Sequence, residues 1–207
     1  MSTVLHVAAS PRGASSVSRR IAAGMIEEIE ALSGGLRVVL RDLAASPPPH
    51  PSAGFVAASL TPPDRRDDRA ELDLRLSDHL IGELEDARAV VISTPMHNFT
   101  VPSALKAWID LVVRPGRTFG FGPDGKRGLL ADRPVRVIVA CGGRFGDNGQ
   151  PDFLEPYLRH VLGTMGLRDI GFLRLEELNR GQAAVARALD TARAWTGAEI
   201  PALLARS

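Results

Sequence analysis

Three short runs hold the residues best suited to chemistry. Ser10-Pro11-Arg12-Gly13-Ala14-Ser15-Ser16-Val17-Ser18 gathers hydroxyls around an expected helix start. Free backbone N–H groups and the positive end of the helix dipole attract anions there, so the run can cradle a phosphate. The same serines serve equally well as plain helix caps. Pro95-Met96-His97-Asn98-Phe99 crowds a thioether, an imidazole, a carboxamide and a phenyl ring into one turn, which an ordinary strand-to-helix connection also explains. Ala140-Cys141-Gly142-Gly143 ends in two glycines that let backbone approach a flat ligand, or simply make a turn. Cys141 beside Arg144 invites a thiolate reading, but a phosphatase needs an arginine six positions on, where Asp147 stands. A free cysteine is more often a small buried hydrophobe. His6, His50, His79, His97 and His160 lack close metal-ligand spacing, His6 reads as a core residue of a strand, and no metal is expected. Gly120 to Gly125 fits the G-x-G-x-x-G pattern without its strand-turn-helix setting, and no triphosphate-binding loop occurs.

The elements that must position these runs follow from periodicity. Residues 3–9 form a short buried strand, and Val17, Ile21, Met25, Ile29 and Leu32 mark a helix capped by Ser15 or Ser16 and closed by Gly34-Gly35. Leu36 to Leu40 makes a second strand. The Pro-rich stretch from Ser46 to Pro63 suits neither element and is expected as a long surface excursion. Leu72, Leu76, Leu80 and Leu84 mark a helix, Ala87 to Thr94 a fully buried strand, and Pro102 opens a helix with Leu105, Trp108, Ile109 and Val112 on one face. Residues 114–133 read as a loop. Val135 to Ala140, a helix through Leu154, Leu158, Val161, Leu162 and Met165, Ile170 to Leu175, and a helix over 181–205 complete the chain. This βαβαβαβαβα order predicts one α/β domain over 1–207, a flavodoxin-like five-stranded parallel sheet of order 2-1-3-4-5 with helices on both faces. The three runs then follow strands one, three and four at one sheet edge, where such folds bind ligands.

With 44% apolar and 24% charged residues, 207 residues can bury a core without staples. A net charge of +1 with no basic block leaves no field for nucleic acid or anionic lipid, so a small-molecule partner is expected. No apolar run spans a bilayer, no signal-peptide pattern is present, and Cys141 is the one cysteine, which points to a cytoplasmic protein.

From Ser10-Pro11-Arg12 to Ser18-Arg19-Arg20, through Arg41-Asp42-Leu43-Ala44, Pro95 to Phe99, Leu105-Lys106-Ala107-Trp108-Ile109-Asp110, Thr118-Phe119 and Gly142-Gly143, the chain resembles the FMN-dependent NADH-azoreductases, that is, FMN-dependent NADH:quinone oxidoreductases. The block from Pro-Met-x-Asn-Phe to Leu-Lys-x-Trp-x-Asp is its specific part. The resemblance implies a homodimer with one FMN per subunit and sites between subunits. It further implies ping-pong hydride transfer through flavin N5 from NADH or NADPH to a quinone or azo compound, with no catalytic side chain. By position, Ser10, Ser16, Val17 and Ser18 would hold the FMN phosphate, Met96, His97, Asn98 and Phe99 would run along the ring, and Ala140, Cys141, Gly142 and Gly143 would bond its pyrimidine end. Phe121 would reach the substrate pocket, and Arg144 is the candidate stand-in for a nearby arginine. His97 stands where family members often have tyrosine, and Ala140-Cys141 where Ser-Arg is commoner, which leaves donor preference, flavin potential and substrate range open. The alternative is a flavodoxin-like electron carrier or flavin-binding sensor without NADH turnover, for which the near-neutral charge is unusual.

Overall fold

The computed structural model describes residues 2–123, 125–146 and 149–204. Its strands are β1 (Ser2–Ala8), β2 (Leu36–Asp42), β3 (Ala89–Pro95), β4 (Phe119–Gly122), β5 (Gly125–Gly128), β6 (Val135–Ala140) and β7 (Ile170–Leu175). Its helices are α1 (Val17–Ser33), α2 (Ala53–Leu60), α3 (Asp68–Asp86), α4 (Ser103–Val112), α5 (Leu154–Met165) and α6 (Gln182–Leu204). Five strands form one parallel sheet in the order β2-β1-β3-β6-β7, the expected 2-1-3-4-5 winding, while β4 and β5 pair separately. No helix among the described residues is long and apolar enough to cross a membrane.

Period-two alternation divides the apolar runs between two cores. Leu5, Val7, Val90, Ile92, Val135, Val137 and Val139 face α2 to α5, whereas Val4, Val91, Ile138 and Leu173 face α1 and α6. Each large side chain buried this way contributes about 1.5–3 kcal/mol. Register then aligns the strand ends: Ala8 pairs with Ser93, Pro95 with Ala140, and Ala140 with Leu175. Because all five strands run the same way, the loops after β1, β3, β6 and β7 leave from one edge.

The structure departs from the sequence reading in four places. The Pro-rich stretch contains α2, started by Ser52, whose hydroxyl accepts the Phe55 amide at 3.0 Å, and anchored by buried Phe55 and Ala58. Residues 114–133 hold the β4–β5 pair rather than an irregular loop. Leu72 and Leu76 are exposed, whereas Leu80 and Leu84 are buried as expected and Leu74 and Ile81 join them. Leucines at i+4 spacing drift by about 40° per step around a helix of 3.6 residues per turn, so a ladder of four leaves the core face. Leu32, at the end of α1, is likewise exposed.

Candidate functional site

The first loop is built around the start of α1. Ser15 closes a 3-10 turn over Gly13–Ser15 by donating to the Arg12 carbonyl at 2.7 Å, which leaves Ser16 as the cap. The Ser16 hydroxyl accepts the Arg19 amide at 3.4 Å and lies 3.2 Å from the Ser18 hydroxyl. Ser10, whose hydroxyl accepts the Arg12 amide at 3.4 Å, is buried too. Long contacts of this kind leave hydroxyl capacity to spare beside the first amides of the helix, which have no intrahelical acceptor.

Beneath the loop, a polar cluster fixes α1 to the sheet. Arg19 pairs with Asp42, whose Oδ1 also accepts the amides of Ala44 and Ala45 at 3.0 and 3.1 Å. Burial pushes the Asp42 carboxyl up, but the Ala45 amide, Arg19 and the Ala44 amide together hold it below the usual carboxylate range. His6 is pushed down to about 4, first by burial and then by the charge of Arg19, against the pull of Asp42. Neutral His6 pairs with the Ser93 hydroxyl at 2.9 Å and so ties β1 to β3. It is the satisfied core histidine that its place in a strand predicts.

The second loop is a two-residue reversal. His97 and Thr100 exchange backbone hydrogen bonds of 2.9 and 3.0 Å around Asn98 at φ 47° and Phe99 at φ 70°. Left-handed values at both central residues define the turn type that fits a twisted hairpin, where Asn-Gly is usual. A phenylalanine in that conformation costs about 1–2 kcal/mol, stored at the sheet edge. Its carbonyl is held by the Phe153 amide at 3.1 Å.

The third loop leaves β6 at Cys141, whose amide reaches the Leu175 carbonyl at 2.8 Å. Gln150 donates its Nε2 to the Cys141 sulfur at 2.6 Å and to the Met96 sulfur at 3.4 Å, clamping this loop to the second. Burial is the largest influence on the Cys141 thiol and pushes it up, so it keeps its proton at neutral pH. That removes the nucleophilic reading.

These loops enclose two adjoining cavities of about 230 and 280 Å³ that share Met96, Cys141, Gly142 and Asn179. Ser10, Ser16, Val17, His97 and Ala140 line the first, together with Arg12 and Pro95. Asn98, Phe99, Gly143 and Gln150 line the second. Eleven of the twelve proposed cofactor residues therefore come together as lining. Ser18, the twelfth, is fully buried and reaches the space through Ser16. Phe121 and Arg144 line neither cavity: Phe121 is exposed on the β4–β5 pair, edge-on to Phe119 at 5.7 Å, and exposed Arg144 offers its carbonyl to the Gln150 amide at 2.8 Å. The sequence reading omitted Gln150, Leu178 and Asn179. The last two follow from topology, since the loop after β7 must emerge beside the one after β6.

Residues 2–199 match a family described by its flavodoxin-like fold. The chain is 50% identical over 199 residues to FMN-dependent NADH:quinone oxidoreductase 2 of Cupriavidus pinatubonensis, covering 95% of this chain and 97% of that protein. It is 48% identical to FMN-dependent NADH:quinone oxidoreductase 4 of Pseudomonas fluorescens, with 93% of each covered. Among solved structures, an FMN-dependent NADH-azoreductase of Bacillus anthracis in complex with FMN superposes with a TM-score of 0.84 at 22% identity, covering 99% of this chain and 100% of that one.

Proposed function

Because the chain belongs to the FMN-dependent NADH:quinone oxidoreductases, we propose that it carries two electrons at a time from NADH or NADPH to a quinone, and also cleaves azo compounds reductively. FMN, when bound, supplies that chemistry by exchanging a hydride at N5, first with the nicotinamide and then with the acceptor that takes its place. The observation that carries the reading is the convergence, in one cleft, of the buried serine loop at the start of α1 with the loops after β3 and β6.

The donor set fits the cofactor. Ser10 and Ser16 offer hydroxyls to a phosphate, the Val17 and Ser18 amides point from the first turn of α1, and the Ser18 hydroxyl orients that of Ser16. Met96 and Phe99 supply soft, apolar contact for a ring, with His97 and Asn98 beside them. Ala140, Cys141, Gly142 and Gly143 line the same space, and with the Cys141 amide bound to the Leu175 carbonyl the N–H groups of the two glycines are the ones that would stabilise electron density gained on reduction. Cys141 retains its proton, and no side-chain nucleophile is required. Residues 1–207 act as one FMN-binding unit.

A second copy of the chain completes the site in this reading. Phe99, Phe153 and Phe121 are 45%, 61% and 76% exposed, and the first two are joined by a backbone hydrogen bond at the cleft. Exposed aromatics joined at a cleft call for cover, and in this reading Phe121, on the exposed β4–β5 pair, would reach a neighbouring subunit's site. Light scattering should return twice the chain mass, and a monomer would remove the shared site.

Initial rates with NADH and benzoquinone test the activity. FMN-dependent turnover with parallel double-reciprocal lines is expected. Turnover that ignores added FMN in the stripped protein would contradict the reading, and bound FMN without NADH turnover would make the chain a carrier or sensor.

A further inference from the structure

We infer that the groove between α1 and α6 is a binding site for a small organic cation, an amine carried on a flat apolar body. The groove measures about 430 Å³, within the range of about 300–1,000 Å³ usual for small-molecule sites. It shares no lining residue with the loop cleft, so the inference stands apart from the flavin reading.

Two features of the groove work against the stability of the helices that form it. Thr196, in the interior of α6, is 8% exposed, yet its hydroxyl has no hydrogen-bond partner among the described residues. Thr164 and Thr191 show the ordinary arrangement, each donating to the carbonyl four residues back, at 2.9 and 3.0 Å. A buried hydroxyl without a partner is costly, and Thr196 lines the groove. Gly24 of α1 and Gly197 of α6 line the same space, and a Cβ on either would meet no atom within 4 Å. Glycine is the poorest helix former after proline, and neither position needs it for close packing. Gly82 and Gly163 have the same room but border neither the groove nor the cleft. Side chains at 24 and 197 would fill the gap that the two glycines keep open.

Charge and polarity set the ligand class. Buried Met25 and Ala192, with half-buried Ile21, give the groove its apolar wall. The charged groups of the lining are Glu28 and Arg193. Arg193 pairs with Asp190 on its own helix, whereas Glu28 has no ion-pair partner among the described residues. The uncompensated charge at the groove is therefore negative. A protonated amine can donate one hydrogen bond to the Glu28 carboxylate and another to the Thr196 oxygen, while its apolar body covers Ile21, Met25 and Ala192. Methionine suits an aromatic body, because its thioether packs well on ring edges. A carboxylate ligand would find the Arg193 cation already paired.

The test is calorimetric titration of the full chain, with FMN in excess to keep the loop cleft occupied, using naphthylmethylamine, naphthylmethanol and naphthoate. The amine should bind with a Kd below about 1 mM, the alcohol about tenfold more weakly, and the naphthoate more weakly still. Glu28→Gln should remove the preference for the amine over the alcohol. Thr196→Val should weaken the amine about fivefold with a Tm equal to or above that of the wild type, because it removes a buried hydroxyl that has no partner. Gly24→Leu, which places a side chain in the open space, should abolish binding of both amine and alcohol with no loss of Tm. A protein that does not bind the amine, amine binding that survives Gly24→Leu, a preference unchanged in Glu28→Gln, or naphthoate bound as tightly as the amine would overturn the inference. A Tm lowered by Thr196→Val would do so too, since the hydroxyl would then serve the fold rather than a ligand.

Discussion

Two cavities border helix α1, and they differ in kind. Along its flank, a groove of about 430 Å³ lies between α1 and α6, lined by Ile21, Gly24 and Met25 on one side and Ala192, Thr196 and Gly197 on the other. At its N-terminus opens the first space of the loop cleft, with the second adjoining it. The groove is larger than either space because glycines and an alanine leave a gap where two helices pass. It brings together no strand ends and no free helix amides, and its charged groups, Glu28 and Arg193, come from the helices themselves. Each space of the cleft is smaller than the groove, but together they collect four loops that the parallel sheet delivers to one edge. Volume reports where side chains are short, whereas chemistry follows from where the fold sends its irregular backbone.

Substitutions on the two sides of α1 should separate these roles. Replacing Ser16 and Ser18 together by alanine should raise the FMN Kd about hundredfold, since charge-assisted hydrogen bonds contribute about 1.5–3 kcal/mol each. An unchanged Kd would move the phosphate out of the cleft. The next effect lies beneath the cleft, at His6. Its folded pKa of about 4 lies below the unfolded value, so the unfolded chain takes up the proton first and stability is lost as pH falls from 6.5 toward 4. Urea unfolding should show a loss of about 2 kcal/mol from this group between pH 7 and pH 5. His6→Gln should lack that part of the pH slope, and an equal slope in both proteins would relocate the effect.

Smaller changes sharpen the comparison. Phe99→Gly should relieve the left-handed strain and raise stability by up to about 1 kcal/mol while FMN binds more weakly, because the ring contact goes with the phenyl group. Stability that falls together with affinity would mean the turn is not strained. On the groove side, a Cβ at Gly24 meets no atom within 4 Å, so Gly24→Ala should stabilise α1 by up to about 1 kcal/mol and leave the FMN Kd alone. A Kd that moved with Gly24 would give the groove a part in binding.

The sheet and its three principal loops were legible because short continuous apolar runs such as Ala89 to Pro95 fix strand ends, and parallel order fixes the edge those ends share. Helix α2 was not, since eight residues between prolines carry no readable period and owe their place to Phe55 packing on the core. The outward turn of Leu72 and Leu76 was hidden because i+4 spacing resembles a face over two steps and leaves it over four. Asn98-Phe99 gave no sign of its left-handed turn, for which glycine is the ordinary signal. Gln150 belongs to a loop without pattern, and only three-dimensional proximity to Cys141 marks it, whereas Asn179 lies on the loop after β7 that the sheet order brings beside Gly142.

The central claim is that this cleft holds a flavin which nicotinamide can reduce and quinone can reoxidise. Its most direct test is the visible spectrum of the FMN-reconstituted protein under anaerobic conditions, recorded before and after NADH and again after benzoquinone. Flavin bands that bleach with NADH and return with the quinone are the expected result. Protein that takes up no FMN, or bound flavin that neither NADH nor NADPH bleaches, would contradict it.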